Sequence, residues 1–240
     1  MPRMTDLDTQ TVPTDARRAV IRDAAAIGVA TGAYGVSYGA IGIAAGLSVA
    51  QTCALSLLAF TGASQFAFVG VVGGGGALVS AVATALLLGT RNAFYGLRLT
   101  SLLDPRGLRR LLTAHVVIDE TTAMAVGRRT PELARLGFWA TAIILFSLWN
   151  LGTLIGALAG SALGDPRVYG FDAAAPAAFL ALLRPQLASR RAGAVAIAAA
   201  LIAIALVPLV PVGVPVLLAG AAAVVAGLWR ATNATVEENR

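Results

Sequence analysis

Three stretches of this sequence carry side chains able to do chemistry, and all three are embedded in aliphatic surroundings. The first is Phe60-Thr61-Gly62-Ala63-Ser64-Gln65-Phe66, inside an uncharged run from Ala24 to Thr90. Hydroxyls and an amide at that depth need partners, because lipid offers none. If the stretch stays helical, Thr61, Ser64, Gln65 and Phe68 share one face. If it breaks at Gly62, the amides that open the next helix, at Ala63, Ser64 and Gln65, face a cavity and can hold an anion. The second stretch is Arg91-Asn92, where Arg91 either snorkels to an interface already marked by Arg98 or reaches inward. The third holds His115, Asp119 and Glu120. A carboxylate at the centre of a lipid-facing helix costs at least ~2.5 kcal/mol, so adjacent acids there require a polar setting. His115 precedes Asp119 by one helical turn, so the two would share a face, and Asp119, Glu120 and His115 read as a proton relay. Tyr38, one turn from Tyr34, either packs with its hydroxyl satisfied or lines a pore.

Other chemistries find little support. Ser64 with the single histidine could be read as an intramembrane serine protease of the rhomboid type. Gln65-Phe66 then replaces the small residue that would let a helix pack behind the serine, and only one candidate base exists. His115, Asp119 and Glu120 do not form a HExxH pattern, and Cys53 is the one cysteine, so neither a metal centre nor a disulfide is expected. No phosphate-cradling glycine motif is present, so no nucleotide cofactor is expected. The net charge of +6 is carried entirely by arginine, placed beside apolar runs. That placement speaks of membrane topology rather than nucleic acid.

The elements that must position these residues are helices in a bilayer. The 240 residues are 58% apolar, in long Gly/Ala-rich runs rather than short alternating ones. The expected fold is all-α, a polytopic transmembrane bundle with six to eight crossings and discontinuous or re-entrant helices. Residues 1–23 form a polar tail with a cytoplasmic N-terminus, 24–229 one transport domain, and 230–240 a polar tail. Eight apolar segments can be drawn: Ala24–Leu47, Val49–Val72, Ala77–Leu99, Leu111–Gly127, Gly137–Gly164, Ala173–Ser189, Ala192–Val210 and Val212–Trp229. If all cross, loop 104–110 with Arg106, Arg109 and Arg110 falls outside, against the arginine rule. A re-entrant segment around Gly62 or Asp119 would remove the conflict. Glycines at 28, 32, 35, 39, 42 and 46, and again at 152, 156, 160 and 164, mark seams for close helix packing.

Intramembrane acids, a breakable helix and small-residue seams together fit a secondary carrier, where packed halves rock about a midplane site. An amino acid suits such a site, with its carboxylate on the amides near Gly62 to Gln65 and its ammonium toward Asp119 or Glu120. A non-transporting scaffold or regulatory protein would explain the seams but leave the buried polar groups unused. The ordered motifs add a resemblance. Phe60-Thr61-Gly62-Ala63-Ser64-Gln65 resembles the FxGAxQ segment of the AzlC family, large subunits of branched-chain amino acid exporters. Arg91-Asn92-Ala93-Phe94-Tyr95-Gly96 is similar to its next motif, followed by Asp119-Glu120-Thr121 and by Gly170-Phe171-Asp172 with Pro176. Gly89 and Asn92 stand where the family usually has Asn and His. The resemblance implies export of branched-chain amino acids across a bacterial inner membrane, driven by an ion gradient. It also implies a small AzlD-type membrane subunit as partner and leaves room for an oligomer. Thr61, Gly62, Ala63, Ser64, Gln65, Asp119, Glu120, Arg91, Asn92 and Tyr38 are the expected substrate-binding residues.

Overall fold

Long Ala/Leu/Gly runs can satisfy their backbone in lipid only as helix, and helix is what the chain forms. The structure is a computed structural model that describes residues 13–163, Leu180 and 183–224; the Gly170-Phe171-Asp172 motif, Pro176 and both expected tails beyond these limits lie outside the described residues. Among the described residues the helices are α1 (Thr14–Gly32), α2 (Tyr34–Ala44), α3 (Val49–Leu58), α4 (Ala63–Gly73), α5 (Leu78–Leu103), α6 (Leu108–His115), α7 (Asp119–Val126), α8 (Pro131–Ala162), α9 (Arg190–Leu206) and α10 (Val214–Val224). Of the six to eight crossings expected, three helical stretches among the described residues are long and apolar enough to span a membrane: Thr14–Ala44, Leu78–Leu103 and Pro131–Ala162. At 1.5 Å per residue each exceeds the ~30 Å hydrocarbon core. Helix begins at Thr14, so the last part of the expected polar tail is ordered as α1.

The chain divides into two compact units, one built from residues 1–36 and 91–152, the other from 37–90 and 153–240. In the first unit α1 and α8 run parallel. Arg17 pairs with Glu132 near their starts, and a Cβ built on Gly32 would stand 2.6 Å from the Leu148 Cβ. Further on, Gly35 lies directly against the Trp149 carbonyl, and Gly152 faces the Gly32 carbonyl and the Val36 amide. The glycine seam expected from the sequence is thus real, and it brings backbone against backbone.

The segment expected as Leu111–Gly127 does not cross. α6 runs alongside α8, with Arg109 and Thr113 around the same cavity as Arg135 and Trp139, and with the His115 ring 5.9 Å from that of Phe146. α7 then returns. Gly137 abuts the Met124 carbonyl, at 2.6 Å from a built Cβ, Met124 packs with Val20 and Ala24, and Arg128 reaches Asp23 at 3.1 Å. Both ends of this hairpin therefore lie beside the start of α1 and of α8. Its turn is Val116-Val117-Ile118, three β-branched residues that resist helix. Thr121 closes it: its Oγ1 donates to the Val116 carbonyl (2.8 Å) and accepts from the Ile118 amide (3.0 Å). Val117 and Ala125 are buried with Leu99, Leu103 and Phe138. The basic connector 104–110 consequently lies at the same end as Arg17, Arg128 and Arg135, which removes the conflict with the arginine rule.

The second unit contains a matching hairpin. α3 descends along α2, with Gly42 against Thr52, and Ser56 shares a 3.2 Å hydrogen bond with Thr153, whose carbonyl lies against Gly39. α4 climbs back, with Phe66 edge-on to Tyr38 at 5.6 Å and Gly73 beside Ala45, 3.1 Å between the Cβ positions. Ser48 and Gln51 cap the start of α3 reciprocally, at 3.2 and 2.8 Å. The turn sits at Gly62, φ +63° and ψ −98°, a backbone state that side chains disfavour. Val49–Val72 is long enough to span, but as two helices of 10 and 11 residues each leg is only ~16 Å, about half a membrane.

Candidate functional site

In the first unit the turn of the α6–α7 hairpin carries a polar cluster. Arg91 Nη2 of α5 lies 2.9 Å from Asp119 Oδ2, each side chain about one-third exposed. Arg91 therefore reaches inward rather than snorkelling. Tyr95, one turn further along α5, hydrogen-bonds to Asp119, and Thr31 of α1 hydrogen-bonds to Glu120. The Arg91 Nε and the Asn92 Oδ1 are buried without a hydrogen-bond partner. So the acids open α7, where unpaired helix-start amides favour negative charge, and an arginine and a tyrosine from α5 face them. Of the expected site residues, Arg91 and Asp119 are brought into contact, with Glu120 beside Asp119 at the start of α7. Tyr95 and Thr31 stand outside the expected set, although Tyr95 lies one turn after Arg91 and that spacing places both on one face.

His115 departs from expectation. Helix α6 ends at His115 and α7 begins at Asp119, so the two are not one turn apart on a common helix. The β-branched turn between them breaks the period, and Asp119 takes Arg91 as its partner while the His115 ring packs edge-on to Phe146.

The other half of the expected set, Tyr38 and Thr61 to Gln65, belongs to the second unit. The chain breaks at Gly62, so Thr61 does not share a helix face with Ser64 and Phe68; its hydroxyl donates to the Ala59 carbonyl at 3.2 Å. The Ala63 and Ser64 amides, at the start of α4, have no acceptor earlier in their helix. Gln65 is 1% exposed and spends its amide nitrogen on the carbonyls of Leu55 (3.2 Å) and Ser56 (3.4 Å), at the end of α3. It is a tie across the hairpin, with Oε1 buried and unpartnered. Ser64 Oγ is also buried and unpartnered, 3.5 Å from where Gly89 would carry a Cβ. Tyr38 is fully buried against Phe66, which favours the packing role over pore lining. A cavity of about 540 Å³ in the same unit is lined by Ala67 and Val71 of α4, Leu88 and Thr84 of α5, and Val207 and Val216, with the Thr84 hydroxyl unpartnered.

Replacing Gln65 with Ala removes both ties across the hairpin, although the Leu55 carbonyl keeps the Ala59 amide as donor. The expected result is a loss of ~1–3 kcal/mol of stability, read as a lower unfolding temperature in detergent; an unchanged temperature would show that the tie is not structural.

Both hairpins, the glycine seams as far as Gly160 and the Arg91–Asp119 pair lie within residues 26–163, which match the family described as AzlC protein over more than half the chain. The chain belongs to the AzlC family. Membership makes it a membrane protein of a family tied to branched-chain amino acid transport rather than an enzyme family, in keeping with its three span-length apolar helices. The AzlC match ends at Leu163, before α9 and α10. No curated protein and no solved structure matches this AzlC-family chain.

Proposed function

We propose that the chain is the large subunit of a multi-pass inner-membrane secondary transporter that exports branched-chain amino acids, working with a small AzlD-type subunit and driven by an ion gradient. The observation that carries this reading is the Arg91–Asp119 pair at the turn of a re-entrant hairpin. An intramembrane ion pair is expensive unless used, and this one has the charges of a zwitterion in mirror image. A substrate carboxylate would go to Arg91, which already has an unsatisfied Nε, and its ammonium to Asp119 and Glu120. The exchange replaces one neutral pair by two, so no net charge is brought into the apolar interior. Asn92 and Tyr95 would orient the bound groups, and Thr31 would hold Glu120. Asp119 and Glu120 are the proposed coupling acids, with His115 across the hairpin turn. This moves the carboxylate from the α4 amides, where the sequence had placed it, to a group beside the acids; Ser64 and the Ala63 amide stay available as polar lining of the second unit.

Liposomes holding the chain and its small subunit, preloaded with labelled leucine or valine, test the reading. Protein-dependent efflux that collapses with the ion gradient is expected. Absence of any protein-dependent efflux would favour the scaffold alternative.

A further inference from the structure

The first unit carries a second polar feature, at the end where α5 finishes and α6 and α8 begin. A cavity of about 410 Å³ is bounded there by Asp104, Arg106, Arg109, Thr113, Arg135 and Trp139. Arg106 is occupied by Asp104 at 2.8 Å, and Thr113 by the Arg109 carbonyl, also at 2.8 Å. Arg109 and Arg135 have no carboxylate partner among the described residues. Two guanidinium groups around one concavity, beside a single acid already neutralised, call for an anion with several acceptor oxygens.

The surroundings say where that anion comes from. Helix α6 is split lengthwise: Arg109 and Thr113 face the cavity, whereas Leu108, Leu111 and Leu112 are 73%, 68% and 57% exposed. A short helix with one basic face and one row of bare leucines suits the headgroup boundary, its leucines among acyl chains. Trp139 is half-buried at the cavity wall, the depth at which tryptophan anchors to an interface. The same end of the unit carries Arg17 and Arg128, the arginine-rich side that anionic lipids attract.

We propose that this cavity binds the phosphate of an anionic phospholipid headgroup, with the acyl chains lying over Leu108, Leu111 and Leu112. The full chain, purified in mild detergent, can be titrated with phosphatidylglycerol, phosphatidylcholine and soluble glycerol phosphate, and bound lipid counted by native mass spectrometry. Wild-type protein should retain phosphatidylglycerol over phosphatidylcholine, and Arg109→Gln/Arg135→Gln should cut that preference roughly thirtyfold, at ~1 kcal/mol per basic residue at a membrane surface. Arg98→Gln, outside the cavity, should leave it unchanged. Should the double glutamine variant fail to fold, Arg109→Lys/Arg135→Lys keeps the charge and should keep most of the preference, while the single Arg135→Gln should lose about fivefold. Equal retention of both lipids by wild type, or an unchanged preference in the folded glutamine variants, would overturn the proposal. Glycerol phosphate that displaces phosphatidylglycerol only at great excess supports a lipid site; glycerol phosphate binding as tightly as the lipid would show a soluble-phosphate site instead.

Discussion

Leucine efflux is expected to fall at least ~10-fold in Asp119→Asn and in Arg91→Gln, because each variant removes one end of the exchange that the pair performs with a zwitterion. Each single variant also leaves a charge at the hairpin turn without its partner, 2.9 Å away in the native protein. Insertion scales put such a charge at ~2.5 kcal/mol or more, so the singles should also elute with more aggregate. The double variant Arg91→Gln/Asp119→Asn separates the two effects. It restores neutrality, so it should insert and elute like wild type, yet it should still fail to transport. Efflux normalised to folded, inserted protein decides the matter, and wild-type flux in either single variant would refute the site.

Gly39→Leu should give no folded protein at all. A Cβ at Gly39 would run into the Thr153 carbonyl and stand 2.7 Å from the Ala157 amide nitrogen. Overpacking against a flexible side chain costs ~1–3 kcal/mol, but here the obstacle is backbone on a neighbouring helix, which cannot swing aside. The seam would have to part, and in lipid no hydrophobic effect pushes it closed again. Gly193→Ala is the control: nothing lies within 4 Å of its Cβ, and it sits in helix α9. That variant should match or slightly exceed wild type, by up to ~1 kcal/mol from helix propensity. A monodisperse Gly39→Leu peak in size-exclusion chromatography would contradict the account of the seam.

The seam was legible because steps of three and four residues can mean only one helix face. The break at Gly62 is one of two alternatives left open by the sequence, since a glycine followed by polar groups in an apolar run fits either a kinked or a continuous helix. A fold-back around Gly62 or Asp119 is among the alternatives the sequence offers, but the sequence could not show that both segments turn back. An apolar stretch of about 24 residues has the length of a span whether it crosses or folds in two, and the turn needs only Gly62 in one case and Val116-Val117-Ile118 in the other. The one trace was the misplaced charge of Arg106, Arg109 and Arg110, which fits once both ends of α6–α7 lie together. Helical spacing misled at His115, because the period was carried through three β-branched residues that end the helix. It could not find the partner of Asp119, since Arg91 stands 28 positions away on another helix. The cost of Gln65 in lipid is visible in the sequence, but the Leu55 and Ser56 carbonyls that offset it are not.

The claim that a zwitterion divides itself between Arg91 and Asp119 is tested most directly by taking the charges off the substrate one at a time. Binding of leucine, isoamylamine and 4-methylpentanoate would be measured by calorimetry on wild type and Asp119→Asn with the small subunit present. Wild type should bind leucine at least ~10-fold more tightly than either analogue, as charge-assisted contacts of ~1.5–3 kcal/mol require. Asp119→Asn should weaken leucine but not 4-methylpentanoate, which has no ammonium to lose and finds Arg91 freed of its partner. Equal losses for leucine and 4-methylpentanoate would contradict the account.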